Sequence, residues 1–141
     1  MNAELRNRLL RLNVDLAATR MSPDDAIWLA CDLLVAGVDT PAVIELAGAS
    51  PGSTYVADAA HLVERLLAEL GIEPMTAQQA CWWFARDVAR LMATGELDRE
   101  GGETELSALG AEFGNAELVP GQLVPAEILR TADERLAAWT T

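Results

Sequence analysis

Apolar residues recur at helical spacing along nearly the whole chain. From Thr76 to Gly95, Ala80, Phe84, Val88 and Leu91 repeat at four, four and three, and Cys81, Ala85 and Met92 widen the stripe. Thr76 can cap the first turn and Gln79, three residues on, can reach back to it, which is a capping box. Gly95 suits the position just past the helix end. The pattern predicts a helix over 77–94, buried on most of its girth, that the rest of the chain covers.

The remaining segments read the same way. Leu5, Leu9, Leu12 and Leu16 mark an amphipathic helix over 2–20, with Arg6, Arg8 and Arg11 largely off the stripe. Ser22-Pro23-Asp24-Asp25 is a helix start: a capping Ser, Pro at the first helical position and two acids at the positive end of the dipole. The helix it opens, 23–36, is apolar almost all round through Ile27, Trp28, Leu29, Leu33 and Leu34. It is therefore expected to be buried and to pack on the 77–94 helix, with Asp32 either partnered or turned to solvent. Thr40-Pro41 repeats the capping device before a short helix over 41–47. A long helix over 55–70 places Val56, Ala60, Val63, Leu67 and Leu70 on one face, and Gly71 ends it. A helix over 102–113 turns Leu106, Leu109 and Phe113 inward, although Gly110 is unfavourable inside it. Residues 114–124 are irregular, with Gly114, Pro120 and Gly121, and a last helix runs over 125–139. Period-two alternation is nowhere sustained. The expected fold is all-α, a single-domain bundle of six to seven helices without a β-sheet.

Length and composition fit that reading. The chain has 141 residues, 51% of them apolar, enough for one domain with its own core. Cys31 and Cys81 both fall within apolar stretches of predicted helices, as free cysteines of a reducing compartment do. The N-terminus has no apolar h-region, and the longest apolar run, Ala26 to Val38, is interrupted by Asp32 and too short to span a bilayer. A cytoplasmic location is expected.

Charge narrows the function. Net charge is −12, from 22 acids against 10 basic residues, all of them Arg. Residues 1–20 are net +2, while 21–95 and 96–141 are each net −7. Such a chain repels nucleic acid and anionic membranes and attracts basic partners. In general character it is similar to the small acidic helical immunity or inhibitor proteins that neutralise bacterial toxins.

Candidate chemistry is sparse. Gly48-Ala-Ser-Pro-Gly-Ser-Thr54 has neither the Lys nor the spacing of a phosphate loop, and a helix rather than a strand precedes it. Read as a calcium loop from Asp98, position six is Glu103 rather than Gly and position twelve is Leu109 rather than Glu. Asp58, His61 and Glu64 share one helix, but His61 is the sole His and falls off the apolar face. No catalytic residue, metal site or cofactor is assigned.

The most suggestive cluster is Trp83 with Arg86, Asp87 and Arg90 on one flank of the 77–94 helix. A Trp with two Arg is hot-spot composition if that flank is exposed. If another helix covers it, the arginines would pair with acids of 98–112. With the acidic stretch Asp98, Glu100, Glu103 and Glu105, the cluster forms the expected surface for a basic protein partner. The leading expectation is a non-enzymatic binding module. The alternatives are a homodimeric adaptor or scaffold assembled through residues 1–20, and a small-ligand pocket or enzyme using carboxylates, which would need a sizeable pocket with convergent polar groups.

Overall fold

Capping side-chain oxygens start four of the helices. In the computed structural model, which describes residues 1–119, 121 and 124–140, Asn2 accepts from the Leu5 N–H at 2.8 Å, and Ser22 accepts from that of Asp25. Thr76 and Gln79 form the reciprocal capping box, and Asp98 accepts from the Gly101 N–H at 2.7 Å. Pro120 lies outside the described residues. The helices are α1 (Ala3–Ala17), α2 (Pro23–Val35), α3 (Pro41–Ala47), α4 (Val56–Glu69), α5 (Ala77–Ala93), α6 (Arg99–Phe113), α7 (Pro125–Arg135) and α8 (Ala137–Thr140). The fold is all-α, with no strand among the described residues. No helix of these is long and apolar enough to cross a membrane.

The chain divides into two compact units, Met1–Met75 and Thr76–Thr141. Unit 1 holds α1 to α4, with α2 packed chiefly on α3 and also on α1 and α4. Its core is Leu5, Leu9 and Leu12 of α1, Ile27, Ala30 and Leu33 of α2, Val43 and Leu46 of α3, and Val63, Leu66 and Leu67 of α4. Each fully buried Leu or Val here contributes about 1.5–3 kcal/mol. The leucine stripe of α1 is thus committed to the unit's own interior. Trp28 and Val35 depart from expectation: they are 56% and 89% exposed. Only the side of α2 that carries Ala26, Ile27, Leu29, Ala30 and Leu33 faces the core. Val56 is likewise turned outward.

Two polar arrangements hold unit 1 together. Thr40 makes no capping bond to α3; the Glu69 carboxylate of α4 instead accepts from the Ala42 N–H at 2.9 Å. Asn13 is 1% exposed on α1, donates to the Glu73 carbonyl at 2.9 Å and accepts from the Met75 N–H at 3.0 Å. It fastens the extended 73–75 strap to the first helix. Helix α1 itself stops at Ala17, because Thr19 adopts a left-handed φ of 57° and the Arg20 N–H closes the turn onto the Asp15 carbonyl at 2.8 Å.

Unit 2 is built on α5, which packs against α7 and α6. Each helix has its main partners inside its own unit, α2 on α3 in unit 1 and α5 on α7 and α6 in unit 2. Ala80, Cys81, Trp82, Phe84, Ala85, Val88 and Ala89 are buried, whereas Leu91 is 40% exposed. Phe84 and Phe113 meet with ring centroids 6.3 Å apart. Helix α6 starts three residues earlier than Gly102, at the Asp98 cap. Two of its three glycines have a packing reason. A Cβ at Gly102 would overlap the Met92 side chain, and one at Gly110 would lie 3.1 Å from the Leu118 carbonyl and 3.2 Å from that of Asn115. The 115–118 turn therefore lies directly on the helix backbone.

Candidate functional site

Helix spacing puts Trp83, Arg86, Asp87 and Arg90 together on α5, but not as an open surface. Trp83 is half-buried, and the Arg86 guanidinium lies over its ring, 4.4 Å from the centroid. Arg86 is itself only 4% exposed. Its carboxylate neighbour is Asp133 of α7, at 3.7 Å, and Arg90 pairs with Asp87 at 3.9 Å. The arginines therefore look to α7 and to their own helix rather than to residues 98–112. The Arg86 Nε is buried without a hydrogen-bond partner among the described residues. Burial, reinforced by Arg90, holds the Arg86 pKa below its ordinary value, while Asp133 and Asp87 act in the opposite sense.

The acidic stretch belongs to α6. Asp98 is its cap, and Glu103 accepts from the Arg99 Nε at 3.1 Å. Glu100 and Glu105 stand in solvent. The structure thus separates the expected binding residues into a stacked cluster on α5 and a solvated first turn and a half of α6.

The exposed Trp is Trp28. On α2 it shares a face with Asp25, Asp32 and Val35, at positions −3, +4 and +7 from it. It borders a cleft of about 240 Å³ between α1 and α2, lined also by Arg8, Arg11, Leu12, Asp15, Asp25 and Leu29. The charges around it are set in pairs. Arg8 donates to Asp32 at 2.6 Å and Arg11 to Asp15 at 3.2 Å. The arrangement offers a large aromatic surface inside a frame of fixed charges of both signs. This site was readable in principle: a Trp flanked on its own helical face by two Asp sits on the polar side.

Unit 2 has a second cleft, of about 150 Å³, lined by Trp82, Glu117, Leu118, Val124, Glu127, Ile128 and Thr131. At its edge Arg135 donates to Glu117 at 3.2 Å and lies 5.7 Å from the Trp82 ring centroid. Asp58, His61 and Glu64 are exposed on α4, and Arg65 beside them donates to Glu45 at 2.7 Å. Among the described residues no three His, Cys, Asp or Glu side chains converge as metal ligands. Both cysteines are free thiols, Cys81 buried and Cys31 half-buried.

No protein-family model, curated protein or solved structure matches the chain.

Proposed function

We propose that the chain is a non-enzymatic protein-binding module that engages a basic protein partner, with Trp28 as the apolar anchor. The observation that carries this reading is Trp28 itself, a Trp more than half exposed at the mouth of a two-helix cleft. Leaving that much indole in water has an opportunity cost of about 25 cal/mol for each Å² that could have been buried. Trp is also the residue most enriched among positions that dominate binding energy. Units 1 and 2 carry eleven acids and five arginines each, so both would attract a basic protein and speed its encounter. The reading places the chain in a bacterial cytoplasm, acting as an immunity or inhibitor protein does on a toxin.

The test compares tagged wild-type and Trp28→Ala protein, each used to capture partners from its native cells at low and high salt. One stoichiometric basic protein, held by wild type at low salt and released by either change, supports the proposal. Loss of the aromatic anchor should weaken that complex by at least about 30-fold, the scale of a 2 kcal/mol hot spot. Recovery of the chain alone at twice its monomer mass would replace the proposal with self-assembly.

A further inference from the structure

We propose that the unit 2 cleft is a subsite for one guanidinium group, the arginine side chain of a protein partner, and that Arg135 is a tethered guanidinium holding the adjoining part of the same platform. The cleft floor is the buried Trp82, its rims are Glu117 and Glu127, and Leu118 and Ile128 supply apolar walls. A planar cation that stacks on an indole while its edge donates to a carboxylate is what this combination recognises. Two carboxylates exclude anions. The apolar walls and the ring favour a weakly hydrated guanidinium over a strongly hydrated ammonium.

The structure contains a worked instance of this recognition. Arg135 lies over Trp82 and donates to Glu117 at the same time. Glu127, Thr131 and Arg135 form one row along α7 at successive spacings of four, so Glu127 stands two turns, about 12 Å, from Arg135. Among the described residues Glu127 has no hydrogen-bonding or ion-pairing partner for its carboxylate, and it borders the open part of the cleft. An incoming arginine would pair with Glu127 and compete with Arg135 for Trp82 and Glu117. The inference is independent of the Trp28 reading, since the site lies wholly within unit 2 and is tested with a small molecule.

The experiment is a titration of the full chain with N-acetylarginine amide, read by the indole N–H signals in two-dimensional ¹H–¹⁵N NMR and assigned with Trp→Phe variants. N-acetylcitrulline amide is the uncharged control. The Trp82 indole is expected to shift saturably with the arginine probe and not with the citrulline one. Arg135→Ala should tighten binding by about threefold or more, the scale of one cation–π contact. Arg130→Ala makes the same charge change on the same helix and should leave affinity unaltered. Glu127→Gln should weaken binding by about threefold, a value in keeping with one charge-assisted contact at a partly exposed site. If Arg135→Ala perturbs the fold, Arg135→Gln is read in its place. An unmoved Trp82 indole, or equal gains from Arg130→Ala and Arg135→Ala, would overturn the proposal, because binding would then follow overall charge and not this platform.

Discussion

The Arg8 guanidinium of α1 donates to Asp32 of α2 at 2.6 Å, across the face that also carries Trp28. The pair answers the problem of a carboxylate on an otherwise apolar helix: Asp32 turns to solvent and takes a cation there. Its side chains are 37% and 54% exposed, so the stabilisation is small. A double-mutant cycle with Arg8→Ala and Asp32→Asn should give a coupling of under about 1 kcal/mol by urea unfolding, falling further with added salt. A coupling of several kcal/mol would mean that the pair is shielded from solvent.

Asn13 is a different case, because it is buried and both of its amide groups are used. Asn13→Ala removes the acceptor for the Met75 N–H and should destabilise unit 1 by about 1–3 kcal/mol. Protease cutting at 73–75 should rise with it. Unchanged stability would show that water replaces the side chain freely.

Thr19 holds a left-handed backbone with a β-branched side chain, a conformation costing about 1–2 kcal/mol for a residue with a Cβ. Thr19→Gly should relieve part of that and raise the urea midpoint, by about 1 kcal/mol in free energy. A loss of stability would show that the greater freedom of Gly in the unfolded chain outweighs the strain removed.

At Gly102 two effects oppose each other. Ala is the better helix former by about 1 kcal/mol, but its methyl would fall on Met92. Gly102→Ala alone should cost less than about 1 kcal/mol, because the atoms it meets are the far end of a flexible, half-buried Met92 side chain that can swing aside. In a Met92→Ala background the same substitution should be neutral or stabilising. Equal effects in both backgrounds would remove Met92 from the explanation.

For Arg86 the burial is poorly compensated, since its Nε lacks a partner among the described residues and Asp133 is 65% exposed. Asp133→Ala should destabilise by about 1 kcal/mol, whereas Arg86→Met should be nearly neutral, as hydrophobic replacements of weakly paired buried charges often are. The pH sign follows from the lowered pKa. The folded chain gives up this proton more readily than the unfolded one, so the group's contribution to stability rises with pH. That slope lies only between the folded value and the ordinary arginine value, far on the alkaline side. Over about pH 5 to 9, where an arginine stays protonated, wild type and Arg86→Met should show parallel stability profiles. Diverging profiles there would implicate a neighbouring carboxylate.

Helices were legible because caps and periodicity are local. Thr76 with Gln79, Ser22 with Pro23, and the Ala80–Phe84–Val88 stripe each state their role within a turn or two of the chain. What the local pattern could not supply was the choice of partner. Trp28 is surrounded in sequence by apolar residues, so α2 reads as buried all round, yet its contacts with α1, α3 and α4 cover one side only. Thr40 looks like a cap, but Glu69, 27 residues past Ala42, does the work. Gly110 reads as a weakness in α6 until the 115–118 turn is seen lying on it. Trp83 reads as a surface anchor because its neighbours Arg86 and Arg90 are visible from spacing, while Asp133, 47 residues past Arg86, is not.

The tie between Asn13 and the 73–75 strap bears on the order in which the protein is made. Its two hydrogen bonds join positions 60 and 62 residues apart, so α1 waits for the end of its own unit. A chain still on the ribosome can coil α1 at once, but cannot satisfy Asn13 until residue 75 has emerged. Unit 1 therefore acquires its last internal lock while the residues of α5 are only beginning to leave the tunnel, and a pause in translation just before Met75 would hold the first helix unlatched.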